Sequence, residues 1–197
     1  LAHWGDVLSR QGEYAEARER HTAGQAQAEA AGAREELAGN LKGLGNVAYL
    51  QGKYAQARAY QEAALGIERE IGDRRGERQC LGNLGLVAPD QGDYAGALAY
   101  YRLALAGFRQ VGARLAESTT LSNIGLVALA QGDDAGAENS YRRALSIADE
   151  IGNRWLKGYI LTGLGEALDR LGKLAEAAAS LQQACELRQE LGQLPLE

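Results

Sequence analysis

The 197-residue sequence has no methionine, two cysteines and two histidines, and each shortage closes off some chemistry. With no initiating methionine, and with a start, LAHWGD, that lacks the basic stretch and small-residue cleavage pattern of a secretory leader, the chain reads as an excised piece of a longer polypeptide. Cys80 and Cys185 lie more than two of the repeats described below apart, too far for a disulfide in a stacked array, so both are expected as reduced thiols at helix interfaces in a cytoplasmic protein. His3 and His21 form no cluster with cysteines or paired carboxylates at metal-ligand spacing, which predicts no metal site. No apolar run approaches the roughly 18 residues of a spanning helix, so no membrane segment is expected. The 21 basic residues are outnumbered by 26 acidic ones, a net charge of −5, which leaves no basic face for the counterion release that drives nucleic-acid binding. A nucleophile needs a base within hydrogen-bond reach, yet Cys80 is far from both histidines and Ser118 and Ser122 have none nearby; neither an enzyme nor a cofactor is predicted.

One run asks for a test of that last expectation. Gly43-Leu44-Gly45-Asn46-Val47-Ala48 fits the G-x-G-x-x-A dinucleotide fingerprint, which requires a strand before the glycines and a helix after them. The run is one copy of a repeat. Steps of 40 residues lead from LKGLGNVA at Leu41 to LGNLGLVA at Leu81, LSNIGLVA at Leu121 and LTGLGEAL at Leu161, and one step back to LAHWGDVL at Leu1. The second glycine recurs as Gly5, Gly45, Gly85, Gly125 and Gly165, whereas the first is Gly43 and Gly163 but His3, Asn83 and Asn123 elsewhere. A phosphate loop could not tolerate that exchange; a small residue in an apolar helical pattern signals close packing.

Each unit carries two helical periods separated by a glycine turn. In the second unit a first helix is predicted from about Arg34 to Gln51, with Leu37, Leu41, Leu44, Val47 and Ala48 on one face. Gly52 ends it, a second helix begins near Tyr54 with Ala57, Ala64, Ile67 and Ile71 inward, and Gly72 stops that one before Asp73 caps the next. The small columns Gly5 to Gly165 and Ala17, Ala57, Ala97, Ala137, Ala177 let paired helices come close. Pro89 is expected to kink its first helix near the end. No residue cluster supports a strand.

The pattern Leu44-Gly45, Gly52-Lys53-Tyr54, Ala57 and Ala64, repeated as Leu84-Gly85, Gly92-Asp93-Tyr94, Ala97 and Ala104, resembles the tetratricopeptide repeat over essentially the whole chain. The 40-residue spacing resembles the long-helix subclass of Pins-type adaptors and of the sensor arms of bacterial STAND signalling ATPases and transcriptional activators. The resemblance implies an all-α, right-handed superhelical solenoid of antiparallel helix pairs. Its repeats would span about 1–32, 33–72, 73–112, 113–152 and 153–192, followed by a tail at 193–197. It also implies a bacterial, non-enzymatic module that holds a protein or peptide segment in its concave groove and serves as sensor or scaffold in a larger signalling protein. A spacer or self-association element with no groove ligand is the alternative reading.

The first helices should line the groove. Residues at fixed offsets around the glycine column share a stripe, which selects Lys42, Asn46 and Tyr49 in the second unit, Asn83 and Leu86 in the third, and Asn123, Leu126 and Leu129 in the fourth. Family resemblance assigns such asparagines to a peptide backbone. Lys42, Asn46 and Asn83 also match three positions of a carboxylate clamp, but Thr119 and Asn123 stand where its further basic residues belong. A column of Arg34, Arg74, Arg114 and Arg154 is read either as a basic ladder for an acidic ligand or as local pairing, Glu70 with Arg74 and Glu150 with Arg154. With no polar capping helix after Gly192, end-to-end self-association of the fragment is a further expectation.

Overall fold

The computed structural model describes residues 13–192. Helices there are α1 (Tyr14–Ala31), α2 (Arg34–Leu50), α3 (Tyr54–Ile71), α4 (Arg74–Asp90), α5 (Tyr94–Gln110), α6 (Arg114–Ala130), α7 (Asp134–Glu150), α8 (Arg154–Arg170) and α9 (Leu174–Glu190), and no strand occurs among the described residues. The predicted first helix of unit one, with His3, Gly5 and Gly12, and the 193–197 tail lie outside the described residues. None of the described helices is long and apolar enough to cross a membrane.

Glycines 20 residues apart, from Gly32 to Gly192, all adopt positive φ between 65° and 75° and terminate the helices. Gly72 shows the mechanism: its left-handed backbone lets its own N–H reach Arg69 O at 3.3 Å and the Asp73 N–H reach Glu68 O at 2.9 Å, satisfying carbonyls that the last turn would leave open. The Asp73 carboxylate then accepts from the Arg75 N–H at 2.8 Å and caps α4 as expected. Asp133 and Asn153 cap α7 and α8 in the same way. Pro89 falls in the last turn of α4, which runs on one residue to Asp90.

The helices fall into two compact units, residues 1–104 and 105–197, dividing within α5. In the first, α2 packs on α1 and α3, and α3 on α4. Leu37, Leu41, Leu44, Val47, Leu81 and Leu84 are buried at those contacts, each contributing about 1.5–3 kcal/mol on removal from water. Ile71, expected inward, is exposed, because it is the last residue of α3 and extends past the packed turns. In the second unit α6, α7, α8 and α9 pack in sequence around Leu121, Leu129, Tyr141, Ile147, Leu156, Ile160, Leu164 and Leu168, with Leu161 and Leu187 packed together between α8 and α9.

The arginine column shows the helix pairing and corrects one expectation. Arg34 pairs with Glu70, Arg114 with Glu150 and Arg154 with Glu190, each joining the start of a first helix to the end of the second helix of its own repeat. The partner is therefore 36 residues on, not four before: antiparallel packing brings those ends together, and Glu70 and Glu150 are engaged across the pair. Arg74 pairs instead with Glu77, at 3.0 Å. Second helices are also tied to the residue that precedes the next second helix, Arg58 to Asp93 at 3.2 Å in the first unit and Glu138 to Lys173 at 2.7 Å in the second.

The glycine and alanine columns make a lock. Ala57, Ala97 and Ala137 have no exposed surface, and the residue one turn further along each second helix fills the space left by the glycine. A Cβ at Gly45 would lie 2.6 Å from Gln61 Nε2, at Gly85 2.5 Å from the Tyr101 ring, at Gly125 2.9 Å from the Tyr141 ring and at Gly165 2.6 Å from Leu181 Cγ. The imidazole of His21 occupies the equivalent space beside Gly43. Both glycines of the fingerprint run thus sit in the middle of α2 as receptors for side chains, not in a turn between strand and helix.

Candidate functional site

In the first unit α2 and α4 are direct neighbours, and their solvent-facing stripe carries Asn46, Asn83 and Leu86. Asn46 Oδ1 accepts two hydrogen bonds, from buried Gln61 Nε2 at 3.1 Å and from Asn83 Nδ2 at 3.2 Å. Gln61 also donates to Lys42 O at 3.1 Å, so a side chain from α3 passes beside Gly45 and orients the amide on the groove side. This network uses the Asn46 carbonyl and the Asn83 NH₂, and leaves the Asn46 NH₂ and the Asn83 carbonyl outside it.

Lys42 differs from its expected role. Its Nζ lies 2.6 Å from Glu68 Oε1; the two side chains are 20% and 2% exposed. Glu68 fits there because Gly76 leaves the volume that a Cβ would take. Lys42 is therefore neutralised from within. Cys80 is buried close by, and desolvation pushes its thiol up to about 12, opposed by the Lys42 charge and reinforced by Glu68 and Asp73. Tyr49 is half-buried against Ala48, Ala57 and Val87, with its ring 5.8 Å from that of Tyr54. Burial, and then the Asp90 carboxylate, raise its phenol pKa.

In the second unit α6 and α8 are direct neighbours. Leu126 is exposed and Asn123 half-buried on α6, but Leu129 is only 3% exposed and belongs to the core. The reason is angular: Leu129 is three residues past Leu126 and rotates toward α8, whose Arg170 donates to the Leu129 carbonyl at 3.0 Å. Tyr49 has the same offset from its glycine and turns inward likewise. On α8, Trp155 and Tyr159 are 59% and 43% exposed, their rings stacked with centroids 6.3 Å apart and planes 4° from parallel. Thr162 and Glu166 continue the stripe. Arg188 of α9 donates to Thr162 Oγ1 at 3.1 Å, and Glu166 is paired with Arg170 at 2.6 Å. The Tyr141 ring lies between Gly125 and Gly163; burial chiefly, then Tyr159 and Glu166, raise its phenol pKa, so it stays neutral at physiological pH.

The tetratricopeptide-repeat family profile matches residues 35–110, 81–150 and 116–190, together well over half of the sequence. The chain belongs to the tetratricopeptide-repeat family. No curated protein sequence matches it. Solved structures share its fold at low identity. BtubC (BKLC) from P. vanneervenii is 18% identical with a TM-score of 0.84, over 98% of this chain and 80% of that one. The STAND protein with a tetratricopeptide-repeat sensor from Pyrococcus horikoshii is 16% identical with a TM-score of 0.84, over 94% of this chain and 28% of that one. A Rap protein complexed with Competence and Sporulation Factor is 20% identical with a TM-score of 0.81, over 94% of this chain and 52% of that one. The chain thus spans about half of the Rap protein and under a third of the STAND protein.

Reading offsets near the glycine column missed the amino-terminal half of each stripe, where Trp155 and Tyr159 stand ten and six residues before Gly165. The alternating spacing of four and three residues from Trp155 through Tyr159 and Thr162 to Glu166 was the available signal. Gln61, Glu68, Tyr141 and Arg188 come from second helices, and no pattern within a first helix points to them.

Proposed function

We propose that the chain is a protein-interaction module that holds an extended peptide segment against the wall formed by its first helices. The observation that carries this is the Asn46–Asn83 pair, which leaves a donor and an acceptor outside its own network and is held in place by Gln61. A peptide group presents one acceptor and one donor, so this arrangement complements a main chain without regard to its sequence. Leu86 supplies apolar surface next to it, and Asn123 and Leu126 supply the same chemistries in the second unit. Lys42 lends its remaining N–H donors, not a free charge. Leu129 and Tyr49 support the wall from beneath. The STAND relative, whose repeats are described as a sensor, and the Rap relative, solved in complex with Competence and Sporulation Factor, support placing this module as the sensor or scaffold of a larger signalling protein.

The test is a photo-crosslinking amino acid at Leu86, compared with one at Gly66 on the second-helix surface, in the source cell. Capture of a discrete protein at Leu86 only, weakened by Asn46→Ala and Asn83→Ala by about 0.5–1.5 kcal/mol for each hydrogen bond lost, is expected. Equal labelling at both positions, or none at Leu86, leaves the array as a spacer.

A further inference from the structure

Two positions form the same slot in different repeats. In the second repeat they hold Lys42 and Glu68, a closed ion pair at 2.6 Å. In the fourth they hold Ser122 and Ala148, both small and buried. In the fifth they hold Thr162 and Arg188, so the charge now comes from the second helix and faces a neutral hydroxyl. Arg188 has no carboxylate partner among the described residues, whereas Arg109, Arg114, Arg142, Arg154 and Arg170 of the same unit are each paired with one. A half-buried guanidinium oriented by one hydroxyl and lacking an anion is complementary to one.

The adjacent surface is apolar. Trp155 and Tyr159 lie on the same face of α8 as Thr162, stacked on each other and open to solvent. Neither ring is needed to cover the core, which Leu156 and Ile160 on the opposite face fill. From the middle of the aromatic stack to Thr162 is five residues of helix, about 7.5 Å along its axis. Two residues of extended chain span about 6.6 Å.

We propose that α8 and α9 form a subsite for an acidic peptide motif in which an apolar or aromatic residue packs on Trp155 and Tyr159 while a carboxylate two residues away in sequence pairs with Arg188. This specifies the ligand of the groove reading above and rests on it. Glu166, already neutralised by Arg170, does not repel the acid.

The experiment is selection of phage-displayed random 12-residue peptides on the intact 197-residue chain, followed by affinity measurement of the winners on variants. Enrichment of an apolar residue followed, after one spacer, by Asp or Glu is expected. Binding should weaken about 10- to 100-fold with Arg188→Ala and fall with added salt, as for a charge-assisted hydrogen bond. Trp155→Ala should weaken it as well, and the helical circular dichroism should persist, since both side chains lie outside the core. Selection on Arg188→Glu should lose the acidic preference. Winners without an acid, or indifferent to Arg188→Ala, overturn the subsite; if they still respond to Asn46→Ala and Asn83→Ala, the groove reading survives. Winners indifferent to all four substitutions, or no enrichment at all, overturn both.

Discussion

The ring of Tyr141 occupies the space in which a side chain at Gly163 would begin: a Cβ there would lie 2.5 Å from Tyr141 Cζ. On its other side the same ring faces Gly125, where a Cβ would lie 2.9 Å away. One aromatic residue of α7 thus keys two first helices, α6 and α8.

That arrangement predicts opposite outcomes for two glycine substitutions. Gly163→Ala gains helix propensity but drives a methyl into a ring that cannot retreat, and should destabilise the protein by about 1–3 kcal/mol. Gly66→Ala, at an exposed position of α3 with nothing within 4 Å of its Cβ, should stabilise it by about 0.5–1 kcal/mol. Urea denaturation of both variants checks this, and a neutral Gly163→Ala would mean that Tyr141 repacks freely.

Lys42 and Glu68 should behave as a coupled pair. Lys42→Met leaves a buried carboxylate without compensation and should cost about 3 kcal/mol, whereas Lys42→Met combined with Glu68→Leu should recover most of that loss. A double-mutant cycle in urea measures the coupling. Additive losses would show that the pair is not linked in solution.

Stability should fall in acid through a repeated three-residue cluster. Glu77 accepts from Arg69 and Arg74, and Glu117 from Arg109 and Arg114. The Arg69 hydrogen bond chiefly holds Glu77 below the usual carboxylate range against the opposing effect of burial; for Glu117 burial pushes upward, but its two arginines outweigh it. A folded pKa below the unfolded value gives stability that is complete above the unfolded pKa, about 4.3 for Glu, and is lost as pH falls through the folded pKa. Urea midpoints should therefore drop on acidification below that value. Glu117→Gln should lower the midpoint at neutral pH and make the acid dependence shallower; an unchanged slope would assign the acid loss to other carboxylates.

Much of the fold was legible because helical periodicity and glycine punctuation are local properties. Arg34 and Tyr54 start helices where the pattern begins, Gly72 ends one by left-handed geometry, and Asp73 caps the next. The candidate site was legible only in part. Asn46, Asn83, Leu86 and Leu126 lie on the solvent-facing stripe as their offsets predict, but Leu129 and Tyr49 rotate under a neighbouring first helix. The arginine column was misread because a sequence shows Glu70 four residues from Arg74, while antiparallel packing sets it against Arg34.

The sequence by itself determined the helix pairs, their 40-residue register and the need for small residues where paired helices meet, since each follows from backbone geometry repeated along the chain. Only the tertiary structure decided which large side chain fills each glycine's space, that Glu68 neutralises Lys42, and that Arg188 reaches the hydroxyl of Thr162 instead of a carboxylate. Those relationships join residues 16 to 26 positions apart, or depend on two helices at once. Whether a charge is spent on a neighbour or left for a ligand is a property of that packing, and the order of residues does not express it.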